Sequence, residues 1–152
     1  MLYSLGSTIA FLTDFFMKEK VEKTVKDDEK KQICKGKIQI EKYHNKGAAL
    51  NALENRPGMI KIIHTVVLVW TVVYTKIQVK KHGNAGNKMG RSLLLAGGLN
   101  NLCDRYRRGY VVDYLRFSTP WKWLNRLVFN LSDFFVFAGA LLMLLFSKKE
   151  EP

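Results

Sequence analysis

The stretch LVFNLSDFFVFAGALLMLLFS, residues 127–147, decides the fold class, because it is long, apolar and carries a single charged residue, Asp133. At about 1.5 Å per residue, a helix of this length crosses a hydrocarbon core of roughly 30 Å. A helix also satisfies its own backbone hydrogen bonds, which a lone strand in lipid would leave unpaired. The stretch therefore predicts a membrane-spanning helix with an ionisable residue near its start.

Three other segments fit the same architecture. Residues 59–79 are apolar over a spanning length, whereas residues 2–18 are a tight fit and residues 87–106 must carry polar groups into the membrane. The first segment lacks the basic start and the A-x-A-like cleavage site of a secretory signal peptide, so we expect it to remain as a helix. The sequence predicts an all-α integral membrane protein, one membrane-embedded domain over residues 1–152, with four transmembrane helices at about 2–18, 59–79, 87–106 and 127–146.

The segments between the helices predict the topology. Residues 80–91 hold four Lys or Arg and no acid, so the positive-inside rule places them in the cytoplasm. Both termini then lie in the cytoplasm and residues 19–58 form an extracytoplasmic segment, although that segment is also rich in lysine. Within it, Ile38, Ile40 and Tyr43 alternate with polar residues, which predicts a short strand.

The net charge of +12 is distributed around the apolar segments. No acid occurs from Asn55 to Cys103, and lysines and arginines flank the apolar runs. This placement favours anchoring at lipid headgroups over a nucleic-acid groove, and the sequence holds no nucleic-acid-binding signature. Residues 109–126 include two tryptophans and predict an amphiphilic linker at the membrane interface. Cys34 and Cys103 match no metal or redox spacing.

Four acids lie at or near the apolar segments, where an ionisable group costs several kcal/mol and marks either a site or a buried pair. Asp14 is followed four residues later by Lys18, which predicts an ion pair that closes the end of the first helix. Asp104 is followed by Arg105, whose guanidinium can satisfy a buried carboxylate or hold a lipid phosphate. Structural and substrate-holding roles stay open for this second pair.

Asp113 and Asp133 differ from the other acids, because no base lies within four residues of Asp133 and only Arg116 closely follows Asp113. Two carboxylates brought together share a proton, since like charges at close range cannot both ionise. Such a dyad can activate water with one member and protonate a leaving amine with the other. The alternative is two unrelated helix-end acids, each stabilised by a helix dipole, and spacing alone favours that alternative.

Three other chemistries find little support in the sequence. Ser/His/Asp catalysis needs a positioned histidine, but His44 and His82 lie in polar segments and His64 stands alone in an apolar run. Metal ligation lacks a His/Cys/Asp cluster, although acids alone can hold Mg²⁺. A phosphate-binding loop of the GxxxxGK[ST] type is absent.

Five motifs, taken in order, resemble those of the lipoprotein signal peptidases, also called signal peptidase II. DFFMK at 14–18 is similar to the family's Asp-x-x-x-Lys motif, and HNKGAAL at 44–50 is similar to Asn-x-Gly-Ala-Ala-Phe. GGLNNLCDR at 97–105 is similar to the family's Gly-Gly-Ala-x-Gly-Asn-x-x-Asp-Arg motif. GYVVD at 109–113 is similar to Gly-x-Val-Val-Asp, and FNLSD at 129–133 is similar to Phe-Asn-x-Ala-Asp. The resemblance covers nearly the whole chain.

This resemblance implies an aspartic endopeptidase of the bacterial plasma membrane, which cleaves prolipoproteins just before a diacylglyceryl-modified cysteine. It implies contact with membrane lipids, and it requires no metal, organic cofactor or nucleic-acid partner. The catalytic dyad carries over to Asp113 and Asp133, with Asp104 as the second choice for catalysis, and residues 37–56 correspond to the family's β-cradle. The residues that shape the site or hold substrate carry over to Asn45, Asn101, Asp104, Arg105, Asn130, Asp14 and Lys18.

Three residues depart from the family motifs. Leu50 stands in place of Phe, Asn100 in place of Gly and Ser132 in place of Ala. Asn100 adds bulk where helices approach, and we expect the Ser132 hydroxyl to be able to donate to the dyad. These departures motivate an alternative, a non-catalytic membrane protein that binds lipopeptides on the same fold. A lipid-modifying transferase that holds Mg²⁺ with its acids is a third hypothesis.

Overall fold

The computed structural model describes residues 2–47, 52–79 and 84–146, so Leu50 and His82 lie outside the described residues. The chain forms four long helices and four short strands. The helices are α1 (Leu2–Thr24), α2 (Pro57–Val79), α3 (Ala85–Arg107) and α4 (Leu131–Leu145). The strands are β1 (Lys31–Ile33), β2 (Ile38–Asn45), β3 (Val111–Phe117) and β4 (Val128–Phe129), with short 3₁₀ turns at Cys34–Gly36 and Leu124–Arg126.

A helix lies at each of the four predicted positions, but two of the predicted ends are wrong. The first helix continues six residues beyond the predicted end at residue 18, because KEKVEKT, which follows Met17, is rich in strong helix formers. The last helix begins at Leu131 instead of residue 127. Residues 128–129 pair with β3 as strand β4, and the cap formed by Asn130 sets the start of α4.

The strands form one antiparallel sheet in the order β1-β2-β3-β4. The strand predicted from Ile38, Ile40 and Tyr43 is present as β2. The interpretation of residues 109–126 as a linker is wrong, because that segment contains β3. β2 and β3 pair along their lengths, with Tyr43 opposite Asp113, and a register shift separates that part of the ladder from the pairs around Ile40.

Helix α3 lies at the centre of the helical layer and contacts α1, α2 and α4. Glycines allow its close approach to α4, since a Cβ on Gly90 would lie 2.7 Å from the carbonyl oxygen of Gly139. A Cβ on Gly97 would lie 2.4 Å from the carbonyl oxygen of Ser132, in the first turn of α4. This packing sets the start of α4 against the C-terminal half of α3.

The interior is polar and much of the outer surface is apolar. The most fully buried side chains include Asp14, Lys18, Asn100, Asp104, Asp113, Asn130 and Ser132. Among the described residues, one helix, over Pro57–Ile77, is long and apolar enough by itself to cross a membrane, and α4 is a shorter apolar helix. Helices α1 and α3 contain more charged and polar residues than α2, so the spans predicted for helices other than α2 stay predictions.

Candidate active site

Asp133 lies in the first turn of α4, where it forms a capping box with Asn130. The Asn130 side chain accepts a 3.0 Å hydrogen bond from the backbone N–H of Asp133, and Asp133 Oδ2 accepts one of 3.0 Å from the backbone N–H of Asn130. These two bonds satisfy N–H groups that the start of a helix leaves unpaired. Asp133 is therefore a helix-end acid, as one of the two interpretations of the sequence predicts.

Asp113 is not a helix-end acid, because it lies inside strand β3 and is only 2% exposed. Its Oδ2 accepts a 2.8 Å hydrogen bond from the side-chain amide of Asn45, the last residue of β2. Its Oδ1 accepts a 2.7 Å hydrogen bond from the side-chain amide of Asn130. Since Asn130 also bonds Asp133, one asparagine joins the two acids.

The two carboxyl groups are close enough to influence each other. Burial and the negative charge of Asp133 raise the pKa of Asp113 to about 7, against the opposing hydrogen bonds from Asn45 and Asn130. At neutral pH, Asp113 therefore holds a proton for a large part of the time. This is the electrostatic arrangement of an acid–base pair, in which one carboxyl group is protonated beside an ionised partner.

Asn101 supplies a side-chain donor to the Asp133 carboxylate. Its amide nitrogen donates a 2.9 Å hydrogen bond to Asp133 Oδ1. Its amide oxygen accepts a 2.7 Å hydrogen bond from Lys18 Nζ. Helices α1, α3 and α4 thus meet at one chain of polar contacts that ends on Asp133.

The Asp14–Lys18 ion pair is present at 3.1 Å, but it does not close the end of the first helix. Both side chains are buried, and α1 continues to Thr24. Asp14 instead accepts hydrogen bonds of 3.2 Å from each of the backbone N–H groups of Leu131 and Ser132. A carboxylate from α1 therefore stabilises the N-terminus of α4, where unpaired N–H groups and the helix dipole favour negative charge.

The expectation for the Ser132 hydroxyl is corrected by the structure, since this hydroxyl donates to Asp14 and not to the dyad. Tyr114, which the sequence did not single out, donates a 2.7 Å hydrogen bond to Asp14 from its phenol group. Because successive residues of a strand point to opposite faces, Tyr114 contacts Asp14 while its neighbour Asp113 faces the dyad. Recognising β3 from the sequence would have predicted this alternation.

Asp104 and Arg105 do not pair with each other. Asp104 Oδ2 lies 3.1 Å from Lys18 Nζ, and Asp104 Oδ1 lies 2.9 Å from Arg108. Arg108 also bonds Glu19 of α1. Arg105 is 7% exposed and donates a 2.8 Å hydrogen bond to the carbonyl oxygen of Gly47, just after β2. Its guanidinium thus holds the segment that follows Asn45.

His44 and His64, the two histidines that the structure describes, take no part in these contacts. His44 lies in β2 instead of a polar loop, where Nε2 is 3.1 Å from a carboxylate oxygen of Glu22 and the ring stacks on Tyr110. His64 is half-buried in α2. Across residues 2–47, 52–79 and 84–146, no three His, Cys, Asp or Glu side chains are grouped so that they could hold a metal ion.

Comparisons with known proteins identify the family of this chain. The profile of the family described as signal peptidase (SPase) II matches residues 7–148. The lipoprotein signal peptidase of Halothermothrix orenii is 34% identical over 143 residues, which cover 94% of this chain and 92% of that protein. The lipoprotein signal peptidase of Streptococcus pneumoniae is 29% identical over 116 residues, 75% of this chain and 71% of that protein.

A solved structure shares the fold. A bacterial membrane enzyme, whose structure was determined by the in meso method at 2.3 Å resolution, superposes with a TM-score of 0.84 at 24% identity. The match covers 99% of this chain and 93% of that one. From the family match over nearly the whole sequence, the relatives and the shared fold, we conclude that the chain belongs to the signal peptidase II family.

Proposed function

We propose that this protein is a membrane aspartic endopeptidase, which removes the signal peptide from prolipoproteins just before the diacylglyceryl-modified cysteine. The observation that carries the proposal is the contact of Asn130 with both Asp113 and Asp133, two buried carboxyl groups. Membership of the signal peptidase II family supports the same reaction.

In the proposed mechanism, the two acids divide the work of proton transfer. Asp133 is the ionised member and removes a proton from water as the water oxygen attacks the carbonyl carbon of the scissile bond. Asp113, whose pKa of about 7 allows it to hold a proton near neutral pH, gives this proton to the carbonyl oxygen. When the tetrahedral intermediate collapses, Asp133 gives the proton that it took from water to the nitrogen of the cysteine, Asp113 takes back the proton of the hydroxyl group, and the C–N bond breaks.

The asparagines keep the two acids in these roles. Asn45 and Asn130 donate to Asp113, and Asn101 donates to Asp133, so each carboxyl group is oriented by amides from neighbouring elements. Arg105 holds the segment after Asn45 in place through the carbonyl group of Gly47. Asp104 is the second choice for catalysis. Its carboxylate pairs with Lys18 and Arg108 and accepts a hydrogen bond from a backbone N–H, which favours a supporting role.

We also propose that all four helices cross the membrane and that both termini lie in the cytoplasm. The buried charged groups of α1 and α3 lie in the interior, while exposed apolar side chains such as Leu5, Ile9 and Phe16 cover the outer face of α1. In α4, Phe137 and Leu144 are exposed in the same way. A polar interior beneath an apolar surface is the arrangement expected in lipid.

In this orientation, the sheet and the dyad lie on the extracytoplasmic side, at the depth where a lipid-anchored substrate presents its cysteine. The substrate's acyl chains stay in the bilayer, and water reaches the dyad from outside. The reaction that we propose needs no metal or organic cofactor, because Asp113 and Asp133 are assigned all of its proton transfers.

The departures from the family motifs do not favour the non-catalytic alternative. Asn100 contacts Lys18 and the carbonyl group of Phe11, and Ser132 contacts Asp14, so neither side chain touches Asp113 or Asp133. Leu50 lies outside the described residues.

The proposal is tested by mixing the purified protein, in detergent or lipid, with a diacylglyceryl-modified prolipoprotein and following the substrate on a gel. We expect conversion to the shorter form by the wild type and no conversion by Asp113→Asn or Asp133→Asn. Asp27→Asn is the matched control, since Asp27 is an exposed acid that pairs with Lys42 outside the helices. Bound but uncut substrate with the wild type would instead support the lipopeptide-binding alternative.

A further inference from the structure

Lys18 is a fully buried ammonium group surrounded by oxygen atoms. Its Nζ lies 3.1 Å from Asp14 Oδ2, 3.1 Å from Asp104 Oδ2, 3.0 Å from Asn100 Oδ1 and 2.7 Å from Asn101 Oδ1. An ammonium group has three N–H donors and no acceptor. Every group that faces it must therefore present an oxygen atom.

This requirement fixes the orientation of the Asn101 side chain. An asparagine amide has an acceptor oxygen and a donor nitrogen on opposite sides, and packing alone hardly distinguishes the two ends. Because the oxygen of Asn101 faces Lys18, its nitrogen faces Asp133 Oδ1 at 2.9 Å. Rotating the amide by half a turn would set its NH₂ group against the ammonium and its oxygen against the Asp133 carboxylate, and both contacts would then be repulsive.

Asn100, the preceding residue, makes the same contact without reaching the dyad. Its oxygen also accepts from Lys18, but its nitrogen donates a 2.7 Å hydrogen bond to the carbonyl group of Phe11 in α1. Its path therefore ends on the backbone of α1. Lys18 therefore has two possible roles. Through Asn100 it holds helices together, and through Asn101 it orients a donor toward Asp133.

We propose that Lys18 is a positioning residue for Asp133, and that it acts by fixing the orientation of the Asn101 amide. Lys18 pairs with Asp14 and Asp104, and its hydrogen-bonded connection to Asp133 runs through Asn101. With the amide held in this orientation, Asp133 receives a side-chain donor in addition to the backbone N–H of Asn130. This inference rests on the proposed peptidase reaction and specifies how its base, Asp133, is held in position.

The test is a double-mutant cycle on kcat, measured with Lys18→Met, Asn101→Ala and the combination of both. Each single variant should lose kcat on the order of 100-fold, since a misplaced catalytic group can cost that much, with KM nearly unchanged. If Lys18 acts through Asn101, Lys18→Met should reduce the kcat of Asn101→Ala by no more than about twofold further. In both single variants, the acidic limb of the pH profile of kcat should move to higher pH, because a carboxylate that loses a donor holds its proton more tightly.

Two controls separate positioning from simple stability. Asn100→Ala should lower the melting temperature but leave the acidic limb of the pH profile in place, because Asn100 does not reach Asp133. A second cycle with Lys18→Met and Asn45→Ala should give independent effects that multiply to within about twofold, because Asn45 contacts Asp113 from strand β2. Should Lys18→Met fail to fold, Lys18→Met/Asp104→Asn removes the buried charges as a pair and takes its place in the cycle.

Independent effects of Lys18→Met and Asn101→Ala, or an unmoved acidic limb, would overturn the inference. These outcomes are distinct from failure of the proposed function, in which the wild type itself leaves the prolipoprotein uncut or the Asp133→Asn variant still cleaves it.

Discussion

Asn130 donates a 2.7 Å side-chain hydrogen bond to Asp113, and this contact joins strand β3 to the start of helix α4. The same residue caps α4 by accepting the backbone N–H of Asp133 through its side-chain oxygen. One asparagine therefore has two separable roles, a cap that stabilises a helix and a bridge that orients an acid.

Replacement of Asn130 should separate these roles. Asn130→Ser keeps a good capping residue but loses the amide that reaches Asp113, so the melting temperature should stay near that of the wild type while kcat falls on the order of 100-fold. Asn130→Ala should lose both roles and unfold more easily by about 1 kcal/mol. Thermal unfolding in detergent and prolipoprotein cleavage measure the two effects, and equal activity of Asn130→Ser and wild type would refute the bridge.

The raised pKa of Asp113 predicts the pH dependence of cleavage. Since Asp113 must carry a proton to act as the acid, kcat should fall as the pH rises through about 7. The hydrogen bond from Asn45 lowers the pKa of Asp113, so Asn45→Ala should move this basic limb to higher pH. A basic limb that stays in place in Asn45→Ala would show that another group limits the reaction there.

The same pKa makes a prediction about stability. The pKa of Asp113 lies above its ordinary value of 3.8 in the folded protein, so the folded state binds the proton more tightly than the unfolded state does. Ionisation of Asp113 therefore lowers the free energy of unfolding as the pH rises from about 4 to about 7. The total loss is on the order of a few kcal/mol.

Asp113→Asn removes this cost and should raise the melting temperature of the protein at pH 8 while abolishing cleavage. The gain should shrink as the pH is lowered toward 4, where the wild-type carboxyl group keeps its proton. Unfolding curves at pH 8 and pH 5, recorded by circular dichroism, measure the difference. A melting temperature below that of the wild type at pH 8 would contradict the assignment of a raised pKa.

The close approach of α3 and α4 predicts that Gly97→Ala impairs both folding and activity. The added Cβ would lie 2.4 Å from the carbonyl oxygen of Ser132, so the first turn of α4 must move and take Asp133 away from Asn101. Gly6→Ala is the matched control, because nothing lies within 4 Å of a Cβ at that position of α1. We expect a lower melting temperature and a lower kcat for Gly97→Ala alone, and similar behaviour of the two variants would contradict this packing.

The sequence predicted the helices better than the sheet. Long apolar segments specify helices locally, so α2 and α4 could be predicted from their own residues. Strand β3 depends on pairing with β2, more than sixty residues away, and its sequence VVDYLRF was interpreted as part of a linker. The start of α4 was placed too early because Val128 and Phe129 are as apolar as the helix that follows.

The site was predicted in part by its residues and in part by resemblance. The four-residue spacing of Asp14 and Lys18 was enough to predict their ion pair. The sequence alone could not show that Asp113 and Asp133 meet, because their contact through Asn130 joins two elements with no regular spacing between them. Adjacency in sequence does not predict the partner of Arg105, which follows Asp104 but bonds the carbonyl group of Gly47.

The most direct test of the central claim is mass spectrometry of the products formed from a diacylglyceryl-modified prolipoprotein. The wild type should release a signal peptide ending at the residue before the modified cysteine, whereas Asp113→Asn and Asp133→Asn should bind the substrate but release no signal peptide. Cleavage at that bond by either variant, at a rate near that of the wild type, would contradict the assignment of Asp113 and Asp133 as the catalytic pair.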